Sequence, residues 1–451
     1  MSTDGHVTVQ DRIAGALLGL AAGDALGATL EFVPPHQIVR RHTEIRGGGA
    51  FSWRAGQGTD DTDLTWAVLQ GYLDDYTVEG VAGHMLAWYR GGPRDIGGTT
   101  QRALSALVGG ADPRNTGLTD DRSAANGSLM RCLPTGLVRP DAERRRAEAA
   151  QISRITHAEV RCVDACVAYC DLVDALLRDA TPSEAVATVL AGTPDLGAAT
   201  VEALQRAGQL ALEELDTSGY VTATLTVGVW ALLQPRPAED TLMDVVNRGL
   251  DADTTGAVAG GLLGCRDGVA ALSARWTDKL EYRAALLDAV PAVHVLRVQR
   301  ENERAFLAAV TAPTDADWRA LWTAVDEMAA GSQHPTWPDP RYTVVIDGRE
   351  EQRMELPHVE YSDAVHRVVA RLHGLGLIVP FDWGRWDGFT LFAGGEGMQE
   401  APVTHAVRMV TAIVRAERFN TGTIDVALRD GTFLAALNRL RVWHEQRPRP
   451  A

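Results

Sequence analysis

Residues 247–264 read NRGLDADTTGAVAGGLLG, and within them Asp251, Asp253 and Thr254 set three hard oxygen donors into four positions ahead of a small-residue run. A second acidic knot lies far upstream in GQGTDDTD, where Thr59, Asp60 and Asp61 stand in a row before the apolar helical run 64–73. One Asp or Thr in such a place is an ordinary helix N-cap. A cap needs one oxygen, whereas each knot supplies three, and Asp60 beside Asp61 would repel without a cation. Oxygen donors grouped at helix entrances suit Mg²⁺ or Mn²⁺, which take near-octahedral oxygen coordination. Two knots point to two ions.

Around these knots the chain is long, 451 residues, which implies two domains or one large domain with an appendage. Its 45% hydrophobic and 23% charged residues are those of a soluble globular protein, and no apolar run reaches the length of a membrane span. The polar start, MSTDGHVTVQDR, carries no signal-peptide pattern. A formal charge of -16 argues against nonspecific binding to nucleic acid or anionic membranes. Lys279 is the only lysine, which excludes a P-loop or a Schiff-base lysine from the N-terminal region. Five cysteines without a CxxC pair fit unbridged thiols in a reducing cytoplasm, with Cys162, Cys166 and Cys170 on one helix face as small core residues.

In chain order, residues 9–31 repeat small and apolar residues at helical spacing, predicting a core helix that lets neighbours approach closely, interrupted at Gly23-Asp24 and Gly27. Glu31 follows at its end. Helical runs are predicted over 78–89 and 99–107, on either side of the loop GGPRDIGGTT that holds Asp95. In ANGSLMRCLPTGL, Asn126, Gly127 and Ser128 precede an apolar stretch, an arrangement that caps a helix or presents N–H groups and a hydroxyl to an anion. The arginines of 139–161 read as the solvated face of a helix, with His157 among them. Helical patterning continues over 163–177, 182–191, 198–215, 221–233, 241–250 and 283–310, so the N-terminal part reads as all-helical. Beyond about residue 312 the texture changes to Pro-bearing turns and a concentration of tryptophans. There we expect strands at 342–346 and 390–392, the PTWPDP turn, and helices at 318–330, 362–375, 403–418 and 422–443: a smaller α+β domain over 315–451, in which Arg415 and Arg418 around Glu417 form internal ion pairs or, as the alternative, bind an acidic partner.

Read together and in order, GALLGLAAGDALGATLEF, GQGTDDTDL, DIGGTT, NGSLMR, THAEVRC and DADTTGAVAGGLLG resemble the ADP-ribosylglycohydrolase family, above all its dinitrogenase-reductase-activating branch. The resemblance covers about residues 9–300. It implies an all-α domain with a binuclear Mg²⁺ or Mn²⁺ centre at the bottom of an ADP-ribose cleft. Thr59, Asp60, Asp61, Asp251, Asp253 and Thr254 would be metal ligands, with Asp253 the bridge. Glu31 would be either a ligand or a water-orienting base. Asn126, Gly127, Ser128 and Met130 would line the diphosphate and ribose path, and His157 the cleft edge. The DIG loop resembles that of enzymes acting on arginine-linked ADP-ribose, where Asp95 would transfer a proton. The C-terminal part is similar to a bacterial domain of unknown function through IVRAERFNTGTIDVALRDGTFLAAL, which supplies no activity and leaves recruitment of a target or partner open.

The resemblance thus implies a metal-dependent hydrolase acting on an ADP-ribosylated protein. Two alternatives stand beside it: a non-hydrolysing ADP-ribose-binding module, and a hydrolase of serine-linked or other ADP-ribose conjugates. A two-metal phosphoesterase would use similar ligands but release AMP.

Overall fold

The computed structural model describes residues 7–193, 195–331, 335–338, 341–346, 349–354, 359–381, 383 and 386–447. The chain divides into two compact units, residues 1–300 and 301–451. The first contains helices α1 (Val9–Gly27), α2 (Asp60–Leu73), α3 (Val78–Arg90), α4 (Gly98–Val108), α5 (Leu133–Val138), α6 (Ala142–Arg154), α7 (Val160–Leu177), α8 (Pro182–Gly192), α9 (Ala198–Arg206), α10 (Val221–Leu233), α11 (Ala238–Val246), α12 (Ala252–Asp267) and α13 (Ala274–Thr277). Helix α14 (Arg283–Thr311) begins in the first unit and ends in the second. Among the described residues no helix is long and apolar enough to cross a membrane.

Helix α1 begins in a reciprocal cap, with the Asp11 amide donating to Thr8 Oγ1 at 3.1 Å and the Thr8 amide donating back to the Asp11 carboxylate. From Ile13 to its last residue every position is buried, which two neighbouring helices alone could not achieve. The interruption expected at Gly23-Asp24 does not occur. Gly15, Gly19, Gly23 and Gly27 recur every fourth residue, so they share one face, and that face lies backbone to backbone on α12. A Cβ at Gly19 would stand 2.2 Å from the Gly260 carbonyl oxygen, and one at Gly27 would stand 2.2 Å from that of Ala252. The pairing of Gly15 with Gly264 and of Gly27 with Ala252 makes the two helices antiparallel. The end of α1 therefore meets the start of α12.

The arginines expected on a solvated face are in part the opposite. Arg139 and Arg145 are buried, Arg139 pairing with Glu148 at 2.5 Å and Arg145 with Asp171 at 2.7 Å. Arg145 on α6 is neutralised by Asp171 of the neighbouring α7, and Arg139, just after α5, by Glu148 of α6. Cys162, Cys166 and Cys170 are buried core residues of α7. The predicted helix 198–215 stops at Arg206 and continues as short 3₁₀ turns.

The second unit contains α15 (Asp315–Ala330), β1 (Arg341–Ile346), β2 (Arg349–Met354), α16 (Asp363–Gly374), α17 (Gly388–Leu391), α18 (Val403–Ala416), α19 (Thr423–Arg429) and α20 (Thr432–Gln446). Its two strands pair antiparallel, Arg341 opposite Met354 through Ile346 opposite Arg349. The strand expected at 390–392 is not one: Leu391 ends a short helix, where the Phe392 amide donates to the Gly388 carbonyl. The single helix expected over 422–443 is broken by Gly431, whose φ of 89° belongs to the left-handed region. Glu417 accepts the amides of Gly422 and Ile424 at 2.8 Å, and among the described residues no ion pair forms with Arg415 or Arg418 as expected. Part of the PTWPDP turn, residues 339 and 340, lies outside the described residues.

Candidate active site

Three chain segments that are remote in sequence meet where α1 ends. Glu31 follows α1, Asp251 caps α12 with Asp253 and Thr254 in its first turn, and Thr59 caps α2 with Asp60 and Asp61 in its first turn. The segments are stitched together by short bonds. Phe32 donates its amide to the Leu250 carbonyl at 2.6 Å and Leu250 donates back to Val33 at 2.9 Å, both Phe32 and Leu250 holding left-handed φ near 60°. Non-glycine residues in that region carry backbone strain, and here it flanks the acidic knots.

The first knot is held from α1 by a residue that the sequence reading passed over. Asp24 is fully buried and accepts the amides of Thr59 at 3.0 Å and Thr62 at 3.1 Å, together with the Thr62 hydroxyl. An α1 carboxylate thereby caps α2 in place of water. The signal was present, since Asp24 is the only charged residue between Arg12 and Glu31. The knots also touch each other: Thr59 Oγ1 and Thr254 Oγ1 both donate to Asp61 Oδ2 at 3.2 Å.

What the acids lack is more telling than what they hold. Glu31 Oε2, Asp61 Oδ1 and Asp253 Oδ1 are buried without a hydrogen-bond partner among the described residues. Oxygens of Glu31, Asp95 and Asp253 lie within 4.8 Å of one another, close enough to share one cation. Burial and mutual repulsion push these carboxyls up: Glu31 to about 9, through burial and then the Asp95 charge, and Asp60 to about 8, through burial and then Asp95. Asp61 and Asp253 rise well above the usual carboxylate range through burial, followed by Asp24 for the first and Asp61 for the second. Orphaned oxygens of this kind fit a hard divalent cation, which would satisfy the lone pairs and cancel the repulsion.

Above the acids opens a cleft of about 700 Å³, a size ordinary for a small-molecule site. Glu31, Asp60, Asp95, Asp251, Asp253 and Thr254 line one part of it. Asn126, Gly127, Met130 and His157 line another, with Phe32, Phe51 and Leu250 as apolar walls. Thr59 and Asp61, almost fully buried, are not among the lining residues. Ser128 departs from the expectation for it: its hydroxyl pairs with that of Ser153 at 2.9 Å and it is not among the lining residues, because the 3₁₀ turn 126–131 points it into the core. Asn126 joins the turn to the second knot, its Nδ2 donating to Asp251 at 2.6 Å and to Thr224 at 2.9 Å. Beneath the turn lies Arg131, wholly buried, another residue that sequence reading missed.

Comparison with known proteins agrees with this architecture. A family model described as ADP-ribosylglycohydrolase matches residues 5–323, and a family of unknown function, DUF6508, matches residues 313–446. ADP-ribosylarginine hydrolase Tri1 of Pseudomonas putida (strain GB-1) is 31% identical over 288 residues, covering 60% of this chain and 75% of the relative. The ADP-ribosyl-[dinitrogen reductase] glycohydrolase of Rhodospirillum rubrum is 30% identical over 295 residues, covering 61% of this chain and 92% of the relative. A solved structure described as an ADP-ribosylglycohydrolase-related protein complex superposes with a TM-score of 0.58 at 32% identity, covering 64% of this chain and 99% of that one. With the greater part of its length matched, its helical first unit and its acid-floored cleft, the chain belongs to the ADP-ribosylglycohydrolase family.

Proposed function

We propose that this protein is a metal-dependent hydrolase that releases ADP-ribose from an ADP-ribosylated protein, with the N-glycosidic bond to arginine as its linkage and a binuclear Mg²⁺ or Mn²⁺ centre as its cofactor. The observation that carries the proposal is the set of orphaned, buried carboxylate oxygens on Glu31, Asp61 and Asp253 around the floor of a cleft bordered by Asp95. Thr59, Asp60, Asp61, Asp251, Asp253 and Thr254 would hold the ions, with Glu31 either a further ligand or a base. When bound, such ions supply positive charge and an anchor for sugar oxygens.

The remaining chemistry falls to the chain. Hydrolysis breaks the bond between ribose C1″ and the guanidine nitrogen, joins a water oxygen to C1″ and leaves one water proton on the departing guanidine. The carbon passes through an oxocarbenium-like state, so the ribose must be oriented and water confined to one face. Asp95, half-buried at the cleft wall beside Glu31, is suited to moving that proton. Asn126, Gly127, Met130 and His157 would run along the diphosphate and ribose. The relatives named for arginine-linked and dinitrogen-reductase-linked ADP-ribose support the arginine linkage. Five unbridged, buried cysteines support a reducing compartment such as the cytoplasm.

The test is release of ADP-ribose from arginine- and serine-ADP-ribosylated peptides in Mg²⁺, Mn²⁺ or EDTA. Release from arginine that EDTA abolishes is expected. Release from serine alone would overturn the linkage, AMP as product would make the protein a phosphoesterase, and tight ADP-ribose binding without release would make it a binding module.

A further inference from the structure

Arg131 is fully buried, and no carboxylate is bonded to it among the described residues. Its guanidinium donates instead to the Gly127 carbonyl, to the Ile152 carbonyl at 3.3 Å and to Thr156 Oγ1 at 2.7 Å. The same Thr156 oxygen lies 2.7 Å from His157 Nδ1. A hydroxyl has a single proton. Having accepted from Arg131, Thr156 has one acceptor in reach for its own proton among the described residues, and that acceptor is Nδ1. A proton on Nδ1 would strand the hydroxyl proton in a buried place, which is costly. The ring is then left with its proton on Nε2.

The Nε2 edge of the ring borders the cleft. A Cβ at Gly127 would stand 2.9 Å from His157 Cε1 and 3.2 Å from Nε2, so the turn packs on this edge only because residue 127 has no side chain. The backbone of His157 is fixed as well, its amide donating to the Ser153 carbonyl and its carbonyl accepting the Ser153 hydroxyl, both at 2.8 Å. No described residue bonds Nε2, and His157 and Gly127 both line the cavity. Thr156, which bonds Nδ1, does not titrate, and Arg131 is the charge that acts on the ring among the described residues.

We infer that Arg131 and Thr156 are positioning residues which lock His157 as a neutral imidazole with its proton on Nε2, a fixed donor to an oxygen of the bound ADP-ribose unit. In this role His157 takes no part in proton transfer, because Nδ1 is engaged and Nε2 has no lone pair to offer. Burial, followed by the Arg131 charge, pushes the imidazole down to about 3, in keeping with that neutrality. The donor role rests on the ADP-ribose reading of the cleft, whereas the locked tautomer is a property of the free protein.

The experiment is long-range ¹H–¹⁵N NMR of the histidine rings in the full chain between pH 5 and 8, joined to titration with free ADP-ribose. The His157 resonances should report the Nε2–H tautomer throughout and should not titrate. Thr156→Val, close in shape but unable to donate, should mix the tautomers and weaken ADP-ribose binding about three- to tenfold, with a larger effect on KM than on kcat. Thr156→Ser should restore both, which a merely structural role for the threonine would not require. A charged or Nδ1–H His157 in the wild type, or a Thr156→Val protein with unchanged spectrum and affinity, overturns the inference. A locked Nε2–H ring with unchanged ADP-ribose affinity in Thr156→Val overturns the donor role. Absence of ADP-ribose binding to the wild type would sink the functional reading and the donor role together, whereas binding with the wrong tautomer would sink this inference alone.

Discussion

The contact between α1 and α12 sets the acidic knots in place, and Gly23→Ala tests it most directly. A Cβ at Gly23 would lie 2.0 Å from the carbonyl oxygen of Gly256, whereas real Cβ contacts do not fall below about 3.0 Å. The two helices must part by roughly 1 Å at that point. The obstacle is main chain, so no side chain can swing aside. Ala in place of Gly gains about 1 kcal/mol of helix propensity. Against this, overpacking costs about 1–3 kcal/mol, occasionally more. A gap of 0.5–1 Å also forfeits about a quarter to a half of every dispersion contact along the seam. The seam is fully buried on both helices, so the penalty sits at the upper end of this range and a net loss of about 2–3 kcal/mol is expected. Gly83 on α3 is the control: it is exposed, nothing would lie within 4 Å of its Cβ, and Gly83→Ala should stabilise by about 0.5–1 kcal/mol. Urea unfolding of the metal-free full chain by circular dichroism reads both. Calorimetric Mg²⁺ titration should find Gly23→Ala weaker, since the parting separates Asp253 and Thr254 from Asp61. Equal urea midpoints for the two alanine variants would refute the reasoning.

The acids themselves carry three further predictions. Asp253→Asn keeps the shape and removes a carboxyl that the folded, metal-free chain must hold protonated, so that protein should gain stability, on the order of 1 kcal/mol, while divalent cation affinity falls by about 100-fold or more; thermal melts with and without Mg²⁺ check both signs. Asp95→Asn should lower turnover on arginine-linked ADP-ribose by about 10²- to 10⁴-fold without lowering the melting temperature, read by single-turnover kinetics. The folded, metal-free protein holds protons on Glu31 (about 9) and Asp60 (about 8) that the unfolded chain has already released, so its stability should fall as pH rises from about 5 towards 9. Urea midpoints in EDTA measure this slope, and a flat profile would contradict it.

How much of this site could be read in advance follows from where each constraint lies. The knots at 59–61 and 251–254 were legible because a hard cation needs several oxygens together, and the chain supplies them in runs. The all-helical first unit was legible because its periodicity is long and unbroken. Asp24 was not, since its task depends on where α2 begins, 35 residues away, and that is a fact of packing. Close approach along α1 was legible in its small residues, but Gly23 and Gly27 read as breaks. That the seam runs on through them shows only with α12 in place, where close backbone approach offsets their poor helix propensity. Arg139 and Arg145 look like surface residues until Glu148 and Asp171 arrive beside them. Residues 390–392 carry strand-prone side chains but have no neighbouring strand among the described residues, and local helical bonds win.

The same distinction explains why the acidic floor can exist. Left alone, five or six carboxyls in a buried place would unfold a helix end, and each is pushed upward in the folded chain. The seam between α1 and α12 resists this repulsion with interactions that no cation is needed to form, because its glycines and carbonyls are already in contact. The Asp24 cap ties α2 to the same scaffold. The fold thus holds repelling oxygens at short range without an ion, so binding one would require little rearrangement, and its charge would relieve repulsion that is already present. A cleft assembled this way keeps its unsatisfied oxygens where a cation and a sugar could meet them, while His157, backed by the buried Arg131 and Thr156, lines another part of it.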